Sequence, residues 1–146
     1  MFNKETESPD MIHWEWKGIA LSPGNSIKDA DHAGCWTGSA VIDITGSQKP
    51  TILYTGVRFP DFYETQMIAV ASDDNITQWD QSSTDPVIRG PPRNELPGKV
   101  SGFRDPAFWY DNTISKWRLF IGSGVENIGG YILQYQAEKL EGPWTY

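Results

Sequence analysis

Three tryptophan-bearing segments recur along this chain at an even interval, and that interval limits the fold more than any other feature. Ser8-Pro9-Asp10-Met11-Ile12-His13-Trp14 is followed by Ser72-Asp73-Asp74-Asn75-Ile76-Thr77-Gln78-Trp79 and by a weaker copy, Ala137-Glu138-Lys139-Leu140-Glu141-Gly142-Pro143-Trp144. Successive tryptophans of the set stand 65 positions apart both times. A second element repeats out of phase with the first. Gly38-Ser39-Ala40-Val41-Ile42-Asp43 leads through a polar turn to Thr51-Ile52-Leu53-Tyr54-Thr55-Gly56, and Asp105-Pro106-Ala107-Phe108-Trp109-Tyr110 leads to Trp117-Arg118-Leu119-Phe120-Ile121-Gly122. Ala40 and Ala107 are 67 positions apart, Gly56 and Gly122 are 66. Each unit reads as strand, hairpin turn, strand, loop, strand, tight polar turn, short strand.

The strand assignments rest on composition and length. The runs 39–44, 51–57, 66–71, 106–110, 117–122 and 130–135 are short, β-branched or aromatic, and bounded by Gly, Pro, Asn and Asp. Several are apolar on both sides of the alternation: Ile68 and Val70 oppose Met67 and Ala69. Such strands need a sheet above and another below. No run shows apolar residues at helical spacing. A four-strand antiparallel unit that repeats and stacks face to face describes a propeller blade. The expected architecture is therefore all-β, an incomplete propeller of about two four-stranded blades plus part of another. Residues 1–20 would end one blade, 36–82 form a full blade, 84–100 a proline-rich loop between blades, and 103–146 the next blade. Two blades and a part cannot close a ring that takes roughly four to eight.

Charge and composition remove several function classes. The net charge of −7 and pI near 4.7 oppose binding to phosphate backbones or anionic lipid. No apolar stretch approaches the roughly 20 residues that span a bilayer. One cysteine, Cys35, precludes an internal disulfide and reads as a small buried apolar residue; two histidines, His13 and His32, make no metal-ligand cluster. Neither metal nor cofactor is expected. Asn75-Ile76-Thr77 fits a glycosylation acceptor on an exposed turn. Asp73-Asp74 reads as a solvated turn.

The candidate chemistry gathers at two strand starts. In Ser101-Gly102-Phe103-Arg104-Asp105-Pro106 a charged pair precedes an apolar run. Inner strand starts are where side chains converge on a propeller's central pocket, and Arg104 could hold Asp105 ionised so that it accepts bonds from sugar hydroxyls. An ordinary salt bridge closing the strand would look the same. One unit earlier, Gly34-Cys35-Trp36-Thr37-Gly38-Ser39-Ala40 offers an aromatic plate, a hydroxyl and glycines that permit close approach, or simply blade packing around a turn.

These segments resemble glycoside hydrolase family 32, the invertases, inulinases and fructan hydrolases or transferases. Trp36-Thr37-Gly38-Ser39-Ala40 is similar to that family's Trp-Ser-Gly-Ser-Ala-like segment, and Phe103-Arg104-Asp105-Pro106 to its Phe-Arg-Asp-Pro. Ile12-His13-Trp14 followed by Ala20-Leu21-Ser22-Pro23, Leu53-Tyr54-Thr55-Gly56, and Glu64-Thr65-Gln66 add to the likeness, the last resembling the fungal members in particular. The resemblance covers essentially the whole chain. It implies a five-bladed catalytic propeller and hydrolysis of the fructosyl bonds of sucrose or fructans. It implies that Asp105 is the transition-state stabiliser, with Arg104 beside it and Trp36 and Thr37 lining the sugar subsite; Glu64, a substrate-binding candidate by position, could equally be a surface or strand-edge carboxylate. Thr37 replaces the usual serine and keeps the hydroxyl.

The family's nucleophile lies in a Trp-Met-Asn-Asp-Pro-Asn-Gly-like segment upstream of the His-Trp element, and its acid/base glutamate in a segment after Gly-Pro-Trp. Neither is expected within these 146 residues. Asp105 is neither member of the pair of carboxylates roughly 5 Å apart that a retaining glycosidase uses. The chain alone is expected to be inactive, its partners being a fructosyl sugar and the missing blades of its own domain. A non-catalytic fructosyl-binding module and a truncated gene product are the alternatives. A full-length family member would be extracellular or vacuolar.

Overall fold

The computed structural model describes residues 3–82 and 85–146, with the backbone alone for Asn3–Glu5. Met1, Phe2 and the first residue of the proline-rich loop, Thr84, lie outside the described residues. Nine strands form three antiparallel sheets, and no helix occurs among the described residues. Strands β1 (Asn3–Glu7) and β2 (Glu15–Leu21) make a hairpin. β3 (Gly34–Ile42), β4 (Pro50–Arg58), β5 (Tyr63–Ala71) and β6 (Trp79–Gln81) make a four-stranded meander. β7 (Val100–Asp111), β8 (Lys116–Val125) and β9 (Gly129–Ala137) make a third sheet. Its fourth position is a single bridge, Gln136 with Thr145. Pro143 has no N–H to give, so the pairing there is confined to the two bonds of Thr145.

The middle sheet is buried on both faces, which the alternation of β4 explains. Leu53 joins a cluster with Phe103, Leu119, Ile121, Leu133 and Tyr135 that fills the joint to the third sheet. Its neighbour Tyr54 points the other way, into a cluster with Leu21, Ala30, Cys35, Met67 and Ala69 toward the hairpin. The repeated tryptophans mark equivalent places in two units. Trp79 opens β6 and packs on the Tyr54 cluster, while Trp144 packs on the Leu53 cluster and donates its indole N–H to the Leu140 carbonyl at 3.0 Å.

The strands outrun their sequence expectations at the ends that matter. β3 begins at Gly34 and β7 at Val100, well before the runs 39–44 and 106–110. Each carries a bulge that absorbs the residues read as boundaries. In β3 the register steps from Trp36 opposite Thr55 to Gly38 opposite Tyr54, leaving Thr37 extra. In β7 it steps from Arg104 opposite Gly122 to Ala107 opposite Phe120, so Asp105 and Pro106 face Ile121 alone. The proline-rich loop is likewise not wholly unpaired: Ile88 exchanges both backbone bonds with Gln66 of β5.

Candidate functional site

The β7 bulge exists because Pro106 lacks the N–H that a ladder needs, and Asp105 before it takes φ 59°. A left-handed non-glycine residue costs roughly 1 kcal/mol, so something must hold it. The middle sheet does. The backbone N–H of Asp105 donates to Thr55 Oγ1 at 3.0 Å, and Ser39 Oγ donates to the Pro106 carbonyl at 2.7 Å. The backbone groups the bulge takes from its own ladder are thus met by hydroxyls one blade away. Within the middle sheet, Gly38 lets β3 lie close on β4 next to Ser39, because a Cβ there would overlap the Leu53 carbonyl oxygen.

Two residues before Asp105, β5 grips β7 with alternate side chains from the same face. The Phe103 N–H donates to Glu64 Oε2, and the Phe103 carbonyl accepts from Gln66 Nε2 at 2.8 Å. Glu64 is 8% exposed and pairs through Oε1 with Arg104 Nη2 at 2.8 Å. The Arg104 guanidinium carbon lies 5.5 Å from the centre of the Trp36 ring, in cation–π range. Arg104 therefore directs its ion pair across the blade joint to Glu64 and not along the chain to Asp105, because the left-handed turn at Asp105 separates the neighbours. Asp105 makes no ion pair among the described residues.

A cleft of about 480 Å³ opens over this joint. Trp36, Glu64 and Arg104 line it, together with Arg93 and the ion pair Lys99–Glu126 (2.8 Å). Of the five residues singled out in the sequence, the cleft gathers these three. Thr37 and Asp105 are exposed beside it, each on its bulge. The residues that build the joint, Ser39, Thr55 and Gln66, were not singled out. All three sit inside quoted motifs, and the available signal was that each motif contained more polar residues than a ligand site needed.

Other polar groups have structural work. Asp31 is fully buried; its Oδ2 accepts from Tyr54 Oη at 2.8 Å and Gln81 Nε2 at 2.7 Å, and its Oδ1 accepts from the Gly24 N–H at 3.1 Å. Burial, with Asp31 alongside, pushes the Cys35 thiol up to about 12, so it stays protonated and inert at neutral pH. In the Asn75-Ile76-Thr77 turn, the Thr77 hydroxyl donates to Asp73 Oδ2 at 2.8 Å.

The N-terminal domain of the glycosyl hydrolases of family 32 matches residues 3–146 of the sequence. This chain belongs to family 32. Among curated relatives, a fructan 6-exohydrolase of Beta vulgaris is 36% identical over 119 residues, covering 80% of this chain and 19% of the relative. A cell-wall β-fructofuranosidase of Pisum sativum is 34% identical over 129 residues, covering 86% and 22%. The solved β-fructofuranosidase of Bombyx mori superposes with a TM-score of 0.73 at 27% identity, over 97% of this chain and 27% of that one. The fold is also that of the Aspergillus kawachii β-fructofuranosidase, TM-score 0.79 at 24% identity, over 99% and 26%. The chain thus spans about a fifth of the length of the curated relatives it matches. Its three sheets are an incomplete β-propeller of a glycoside hydrolase family.

Proposed function

We propose that this chain supplies part of the fructosyl-binding site of a family 32 glycosidase that hydrolyses sucrose or fructans. Asp105 is the transition-state stabiliser, accepting hydrogen bonds from fructosyl hydroxyls, while Arg104, Trp36 and Thr37 hold the ring. Hydrolysis would proceed with retention, through a fructosyl-enzyme intermediate formed and resolved by two carboxylates on other segments. The observation that carries this reading is the Asp105–Pro106 bulge. An exposed carboxylate is kept on a left-handed backbone inside a strand by two hydroxyls from the neighbouring sheet, and strained backbone held in this way from outside clusters at functional sites. A sucrose-bound form of the Bombyx mori relative supports the substrate class.

The remaining blades of the domain are the natural partner. Trp14, Trp16 and Ile19 stay exposed at one end of the stack, and Trp109, Phe120 and Ile132 at the other, as they would where further blades stack. Residues 1–20, 36–82 and 103–146 then correspond to the end of one blade and two successive blades.

The test is Asp105→Ala in the longer protein carrying this segment. Two charge-assisted hydrogen bonds formed mainly in the transition state imply a fall in kcat of about 10² to 10⁴-fold. Asp105→Asn should restore part of it, since the amide oxygen still accepts. A lowered melting temperature with kcat per folded molecule intact would remove Asp105 from the site. The 146-residue chain alone is expected to turn over no sucrose.

A further inference from the structure

Glu64 lines the cleft and, by its place in the sequence, is expected to touch substrate; its contacts assign it different work. Both carboxylate oxygens are already engaged by β7, one by the Phe103 backbone N–H and one by Arg104 Nη2. The side chain is 8% exposed, whereas that of Arg104 is 41% exposed. A guanidinium has five donors in a fixed fork, and the ion pair to Glu64 uses one nitrogen. The rest of the fork stays available to the cleft, over the face of Trp36.

We infer that Glu64 is a positioning residue, which fixes the Arg104 guanidinium over Trp36 and presents it to a sugar hydroxyl without binding the sugar itself. The geometry suits this task. A carboxylate anchored from behind by a backbone N–H cannot follow its partner, so it sets the guanidinium's place instead of being dragged by it. The anchor is on β5 and the arginine on β7, so the pair also couples the cleft to the packing between two blades. An untethered arginine side chain would have to be ordered at each binding event, at about 0.5–1.5 kcal/mol, which is roughly a 2- to 12-fold weaker Kd.

The inference rests on the fructosyl reading of the site, and the experiment separates the two. The whole chain is titrated with fructose by proton–nitrogen NMR as wild type, Glu64→Gln, Arg104→Gln and the double variant. The Arg104 side-chain resonances are followed in the two variants that keep it. The expected result is that Glu64→Gln moves the Arg104 resonances toward those of free arginine side chains and weakens fructose binding roughly 2- to 12-fold. In the Arg104→Gln background the same substitution should leave the affinity unchanged, because its effect passes through the missing guanidinium. An equal loss in both backgrounds would show that Glu64 touches the sugar directly and would overturn the inference. So would Arg104 resonances that ignore Glu64→Gln. If the wild type takes up no fructose while its Arg104 resonances still respond, the fructosyl reading fails and the positioning stands. Should Glu64→Gln lose its dispersed backbone spectrum, Glu64→Asp serves in its place, since it keeps the charge and withdraws it from Arg104.

Discussion

The middle sheet and the third sheet are built on the same plan and live in different surroundings. Both have an inner strand with a bulge, a hairpin turn organised by an aspartate (Asp43 or Asp111), and a central strand ending near a glycine. The middle sheet is covered on both faces, and β4 and β5 are buried almost throughout. The third sheet is covered on one face only; β9 alternates, and Trp109, Phe120 and Ile132 remain on the open side. The bulges differ in the same sense. At Thr37 the extra residue sits beside a glycine that lets β3 lie close on β4, while at Asp105 the extra residue is an acid whose backbone is held from the next sheet. The covered sheet acts as the frame, and the half-covered sheet carries Asp105, the carboxylate proposed to bind the sugar, on it.

The largest test of that division is a pair of truncations. Leu53→Ala in the joint should lower unfolding stability by about 2–5 kcal/mol, because the cavity is walled by two sheets that cannot collapse into it. Ile132→Ala on the open face should stay within about 0.5 kcal/mol. Equal losses in urea unfolding would mean that the open face is covered in solution.

Next in size are the two bulges. Gly38→Ala should destabilise by about 1–3 kcal/mol, since the new methyl meets the Leu53 carbonyl. Asp105→Gly should raise the melting temperature by relieving the left-handed backbone, worth roughly 1 kcal/mol, while removing the carboxylate on which the proposed function depends. A stabilised variant with undiminished function would separate the strain from the chemistry.

Much of this frame was legible in the sequence, for a physical reason. Trp79 and Trp144 recur because each blade repeats one packing problem, and the two-sided apolar character of 66–71 demanded sheets on both faces. The strand starts were not legible, because Gly38 and Pro106 ordinarily end strands and here sit inside bulges that continue them. The partner of Arg104 was equally hidden. Neighbours in sequence suggested Asp105, whereas the left-handed turn gives Arg104 to Glu64, 40 positions away. Contacts across a blade joint leave no local spacing to read.

The smallest expected effect concerns the two hairpin turns. Burial works to raise the Asp43 carboxyl, but the N–H groups of Ser47 and Thr45 and their hydroxyls outweigh it and hold it below the ordinary range. The Thr113 hydroxyl and N–H, then Arg118, lower Asp111. A carboxyl lowered on folding stabilises above its unfolded value near 4 and loses that contribution as pH falls through its folded value. Stability should therefore decline below about pH 4. Asp43→Asn and Asp111→Asn should each make that decline shallower, since each removes one lowered carboxyl, one from the covered sheet and one from the half-covered sheet. Thermal melts of a variant that decline with pH as steeply as the wild type would show that its turn contributes nothing to the acid limb.

The most direct test of a sugar site held across the blade joint is a titration of the chain with fructose, against glucose as control, mapped residue by residue by NMR. Shifts should gather at the Trp36 indole N–H and the backbone amides of Thr37, Arg104 and Asp105, with glucose leaving them in place. Fructose shifts confined to Trp109, Phe120 and Ile132 on the open face, or matched by glucose, would contradict it.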